Sequence, residues 1–139
     1  MAIVDGFTSS FKRESLEGVH DLRTDVLKIA LYDETASLNA TTTVYTTTGE
    51  VTGTGYSAGG ETLTVTAPLI IGTTAVVDFA DVTWSTATIT ARGALIYNST
   101  QGNKAIRVLD FGLERTKIAM DFVVTFPAPN EREAVIRIV

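Results

Sequence analysis

The stretch from Ala87 to Phe111, ATITARGALIYNSTQGNKAIRVLDF, restricts the fold more than any other part of the chain. Ile89, Ala91, Gly93, Leu95 and Tyr97 recur at period two, with Thr88, Thr90 and Arg92 between them, which is strand and not helix periodicity. Asn98-Ser-Thr-Gln-Gly-Asn103 is a cluster of turn formers, and Gly102 and Asn103 take positive φ at little cost. The chain then returns with Ile106 and Val108 on one face and Ala105, Leu109 and Phe111 on the other. This is a β-hairpin, and a hairpin is stable only when further strands or a second layer cover its apolar face.

Further strands are available. Asp25 to Tyr32 alternates, with Leu27, Ile29 and Leu31 opposite Val26, Lys28, Ala30 and Tyr32, and reads as half-buried. Glu61 to Ala67 places Leu63 and Val65 inward, with Pro68 marking its end or a bulge. Thr73 to Phe79 sets Ala75, Val77 and Phe79 against Val76 and Asp78. Val82 and Trp84 follow a bend and lead into the hairpin. After Phe111 the segment GLERT reads as another turn. Ile118, Met120, Phe122, Val124 and Phe126 then form a strand apolar on much of both faces, as expected of a central strand or one under an oligomer contact. Pro127-Ala-Pro129-Asn130 reads as a firm turn and Ala134 to Val139 as a last strand. One helix is expected, about Phe11 to His20, capped by Ser9 or Ser10 and weakened by Gly18. From Ala36 to Gly60 the Thr, Ser and Gly content predicts long loops, the Gly53 to Gly60 part flexible.

The expected architecture is all-β, an antiparallel sandwich or jelly roll with one short N-terminal helix. It forms a single domain over residues 1–139, with an arm and helix at 1–24 and a β body at 25–139 carrying long loops at 36–60. At 139 residues one core is sufficient. Hydrophobic residues make up 45% and charged residues 19%, which excludes wholesale disorder. The net charge of −5 and the absence of a Lys/Arg block argue against nucleic acid and against an anionic membrane surface. No apolar run approaches the ~20 residues of a membrane span. The start, MAIVDGFTSS, lacks the features of a secretion signal.

Chemistry is sparse in the residues. His20 is the single histidine, read as an exposed residue near the helix end, and there is no cysteine for a thiolate site. Asp78, Asp81 and Asp110 read as strand-end acids bonded to turns or paired with Arg92 or Arg107. Arg92, inside a strand of small residues, needs an acid or an intersubunit contact. Gly53-Thr-Gly55-Tyr-Ser-Ala-Gly59-Gly60 fails the spacing of a phosphate-binding loop. No cofactor and no catalytic residue is expected.

Three blocks carry a resemblance: SFKRESLEGVHDLRTDVLKIALYDETASL at Ser10–Leu38, TTTGEVTGTGYSAGGETLTV at Thr46–Val65, and VDFADVTWSTATITARGALIYNSTQGNKAIRVLDFG at Val77–Gly112. Together they resemble a group of small virion structural proteins encoded by tailed bacteriophages, and within that class a capsid decoration, or cement, protein. The resemblance implies a non-enzymatic tile on the capsid exterior, made in the host bacterial cytoplasm. It implies the major capsid protein or other virion proteins as partners and a dimer or trimer of the chain itself. It defines no active site. The elements free to make such contacts are the arm and the 36–60 loops, with Phe7, Phe11, Tyr45, Tyr56 and Arg92 as candidate interface residues. Rival readings are a tail, adaptor or fibre-associated component, and a carbohydrate-binding module using Trp84, Tyr56 and Tyr97. An enzyme built on His20 and Asp110 is the weakest.

Overall fold

A computed structural model describes residues 2–126 and 135–138. The elements are β1 (Gly6–Phe7), α1 (Ser9–Leu16), β2 (Leu27–Tyr32), β3 (Glu61–Thr62), β4 (Val65–Ile71), β5 (Thr74–Phe79), β6 (Val82–Asn98), β7 (Lys104–Val124) and β8 (Ile136–Ile138). They form two antiparallel sheets, one ordered β1-β7-β6-β2-β3 and the other β4-β5-β8. This is the expected all-β sandwich. The predicted turn at Pro127-Ala-Pro129-Asn130, with Ala134 and Val139 at the ends of the predicted last strand, lies outside the described residues.

The central hairpin is longer than its sequence pattern. GLERT is not a turn but an interruption inside one strand. Ala91 pairs with Arg115 and Gly93 with Asp110, so two steps along β6 match five along β7. The surplus bulges out around Gly112, whose φ of +83° only glycine adopts freely. Further irregularities lie between Trp84 and Ala87, where Thr86 takes positive φ, and between Ala87 and Ile89, opposite which Ala119 of β7 does. These bulges explain why the apolar pattern of β6 changes parity along its length. Trp84, then Ala87, Ile89 and Ala91, then Ala94 and Ile96 all reach the same core although their spacing is not uniformly even. Leu95 and Tyr97, read as sharing a face with Ile89, lie on the opposite side of the sheet. The sequence pattern assumed an unbroken pleat, and a bulge reverses the side on which every later residue falls.

The large sheet is covered on both faces. Between the sheets, Leu27, Ile29, Leu31, Trp84, Ile89, Ile96 and Phe122 meet Val77, Phe79 and Ile136 of the small sheet. On the other face Ala30, Tyr32, Leu95, Tyr97 and Val108 are roofed by Ile3, Ala36 and Leu38. β2 is therefore buried on both faces except for the half-covered Lys28, not half-buried. Each fully buried Leu or Ile contributes about 1.5–3 kcal/mol relative to exposure.

The roof is the segment expected to be long loops with flexible glycines. It holds no strand longer than an isolated bridge, yet it is seated tightly on β2 and β6. Gly60 sits at φ +76° with its α-carbon against the Ile29 carbonyl, where a Cβ would collide. A Cβ on Gly55 would lie 2.8 Å from the Ala87 α-carbon. These glycines permit close backbone approach, and the flexible reading is corrected. The arm also docks on its own domain. Ile3 bridges to Leu38, and Gly6 and Phe7 pair with Val108 and Arg107 of β7. The helix starts earlier and ends sooner than expected. Thr8, not Ser9 or Ser10, is its N-cap, accepting from the Phe11 N–H at 3.2 Å, and Gly18 at φ +73° follows its end.

Candidate interaction surface

The five residues selected from sequence fall in three separate places, and each engages its own chain. Phe7 stacks on Phe11 with centroids 5.5 Å apart, under the Arg107 guanidinium. Phe11 is buried in the core between the sheets. Arg92 donates from Nε to Asp110 at 3.0 Å, with Glu34 at 4.0 Å. That bond holds the Asp110 carboxyl below the usual carboxylate range. The acid expected beside Arg92 is thus present, within the same chain.

Tyr45 and Tyr56 converge on a residue that sequence reading passed over. Glu50 is a buried carboxylate whose two oxygens accept from the Tyr45 and Tyr56 hydroxyls, each at 2.6 Å. The Gly59 N–H adds a third donor at 2.8 Å. Around it Tyr97 donates to the Gly59 carbonyl and Tyr32 to the Thr46 carbonyl, and Tyr45 stacks on Tyr97. All four tyrosines of the chain therefore pin the roof to the sheet. Burial, helped by the Glu50 charge, pushes the Tyr97 hydroxyl up to about 12 and those of Tyr32, Tyr45 and Tyr56 further. A buried charge is tolerated only when it is well hydrogen-bonded, and here three donors reach it. Nothing in a single Glu between Gly49 and Val51 announces this.

His20 is a correction. Its side chain is 1% exposed and bonds Glu14 through Nε2 at 3.0 Å. Its Nδ1 meets the Asn98 side-chain amide nitrogen at 2.9 Å, and that same nitrogen donates to Asp25. The Asn98 carbonyl oxygen accepts from the Thr100 and Gln101 N–H groups, which fixes the amide's orientation. His20 Nδ1 therefore accepts, and Nε2 carries the proton that it donates to Glu14. The cluster ties the helix to the end of the central hairpin. Asp81 accepts from the Phe126 N–H, a bond to a residue distant in sequence and not the turn bond or arginine pair expected of it. Among the described residues no three His, Asp or Glu side chains gather as a metal site, and no helix is long and apolar enough to cross a membrane.

The aromatics required by a carbohydrate-binding reading are also placed inside. Trp84 and Tyr97 are both 2% exposed, and the Tyr56 hydroxyl is taken by Glu50 and the Leu31 N–H.

What remains outside is aliphatic. On the bulged part of β7, Leu113, Ile118 and Met120 are largely exposed, so this strand is not central at that point. Its outer side pairs with β1 at Arg107 and Val108 and bridges Val44 at Lys104, and among the described residues no strand pairs with that side along the bulged part. On the small sheet, Ile70, Ala75 and Ile138 form one cross-strand row, with Ile70 75% and Ile138 63% exposed. The signal for this second surface was present in the sequence. From Thr62 to Val77, between Glu61 and Asp78, sixteen residues pass without a charge. Comparison with family models, curated proteins and solved structures found no match for the chain.

Proposed function

We propose that this chain is a non-enzymatic structural component of a tailed-bacteriophage virion, a decoration or cement protein that binds the major capsid protein lattice from outside. One observation carries the reading beyond the resemblance of its three sequence blocks. Polar side chains able to do chemistry are spent on internal bonds, as with Glu50, His20 and Arg92, while large aliphatic side chains are left exposed on two sheet edges. Exposed apolar patches on a rigid body fit binding between surfaces better than turnover of a small substrate.

The mechanism is linkage. A tile that binds the assembled lattice and not its free subunits adds its binding free energy to the assembled state. Attachment at several points makes individually weak contacts durable. Particles of the phage that encodes the chain, purified and quantified by mass spectrometry, are expected to hold it in hundreds of copies. Heads lacking it are expected to open at lower temperature. Tens of copies or fewer would assign it to the tail or an adaptor, and its absence from particles would overturn the virion reading.

A further inference from the structure

The small sheet ends at β4. Among the described residues nothing pairs with the outer side of β4, whose inner side pairs with β5. Monomeric proteins protect such an edge with charge, proline or a bulge. Here Pro68 and the register shift between Thr66 and Leu69 interrupt only its first half. Leu69–Ile71 remains open, regular and uncharged, with Leu69 40% exposed and Ile70 75% exposed. Ile71 pairs with Thr74 across a two-residue turn, in which Gly72 takes φ +63°. Residues flanking such a turn form a hydrogen-bonded pair, so alternation directs the Ile70 N–H and C=O to the open edge.

We propose that two copies of the chain pair antiparallel through this edge, Ile70 opposite the second copy's Ile70, about a two-fold axis normal to the small sheet. The two Ile70 residues then exchange both backbone hydrogen bonds. The two three-stranded sheets become one six-stranded sheet, and the exposed row of Ile138, Ala75 and Ile70 continues into its counterpart. Two features favour a second copy as the occupant: an antiparallel edge is complementary to itself about a two-fold axis, and the hairpin carries no charge. Each chain carries −5, so contact between copies is opposed over most of the surface. The uncharged hairpin from Thr62 to Val77 can meet itself without placing like charges together. Only a few residues pair, so the free dimer is modest in affinity and gains from multivalent attachment. This rests on the reading of the chain as a tile attached at several points and adds to it a contact between copies.

Because the chain has no cysteine, Ile70→Cys introduces a lone thiol at the symmetry axis. Hydrogen-bonded antiparallel pairs place their Cα atoms about 5.5 Å apart, inside the range of about 4.4–6.8 Å that a disulfide spans. Under mild oxidation Ile70→Cys is expected to crosslink to near completion, and Ala75→Cys, one strand in from the edge, hardly at all. Sedimentation of the unmodified chain is expected to show twice the 14.9 kDa monomer mass with rising concentration. Ile70→Lys, which sets two ammonium groups against each other, is expected to weaken the dimer roughly ten-fold or more with an unchanged circular dichroism spectrum. A monomer or trimer at every concentration, or equal crosslinking of the two cysteine variants, would overturn the proposal. These assays contain no phage particle. A monomer that still coats heads would sink this contact alone, and a dimer absent from particles would sink the virion function alone.

Discussion

The roof over the large sheet and the hairpin of the small sheet have similar sequences and opposite fates. Both are rich in threonine and nearly free of charge, from Thr35 to Gly49 in one case and Thr62 to Val77 in the other. The roof buries Ala36 and Leu38 on the sheet, and its one carboxylate, Glu50, accepts from Tyr45 and Tyr56 while Tyr32 and Tyr97 of the sheet donate to roof carbonyls. The hairpin turns Ile70 and Ala75 outward and leaves a strand edge open. The difference is one buried carboxylate held by three donors. It lets the roof end its backbone and hydroxyl bonds within the chain, whereas among the described residues the hairpin has no such buried carboxylate anchor and keeps Leu69 and Ile70 exposed.

That contrast is broken most severely in the roof. Gly60→Val adds a side chain against the Ile29 carbonyl at a left-handed backbone position, and a loss of about 4 kcal/mol or more in urea unfolding is expected. Glu50→Ala leaves two tyrosine hydroxyls and the Gly59 N–H without their acceptor, an expected loss of about 3 kcal/mol by the same measurement. If either variant unfolded with the native midpoint, the roof would not be the anchored layer described above.

Alkali tests the same layer without mutation. The folded state holds the tyrosine hydroxyls protonated beyond the ordinary value near 10, so the unfolded chain loses those protons first. Their stabilising contribution is complete below pH 10 and is lost as pH climbs through about 12, where Tyr97 titrates in the fold. Tyrosinate absorbance is expected to rise together with loss of β circular dichroism. Four independent titrations near pH 10 in a folded chain would contradict it.

The smallest effects belong to the exposed surfaces. Arg92→Ala removes a part-exposed pair with Asp110, and a loss of about 1 kcal/mol or less is expected. The Asp110 contribution is present at neutral pH and fades only as acid carries the solution below the ordinary carboxylate range. Leu113→Ser or Ile118→Ser should move unfolding by no more than about 0.5 kcal/mol while reducing retention on phage heads. Stability losses there as large as those in the roof would mean that the two regions are not different in kind.

Local pattern determined the strands. Period two in Leu27–Tyr32 and Thr74–Phe79, the turn formers at Asn98–Asn103 and the break at Pro68 appear in the structure because pleat and turn chemistry act between near neighbours. Tertiary structure decided which side each strand presents and what covers it. The bulges at Gly112 and Thr86 reverse facing in ways that even spacing cannot encode, and the match of Glu50 to Tyr45, Tyr56 and Gly59 exists only once the roof is laid on the sheet. The residues selected as interface from type alone, the aromatics and Arg92, are engaged within their own chain, because packing an aromatic and pairing a cation both lower the free energy of the single chain. The aliphatic residues of a hairpin without charge stay exposed, and only the tertiary structure shows that they lie at a strand edge unpaired among the described residues.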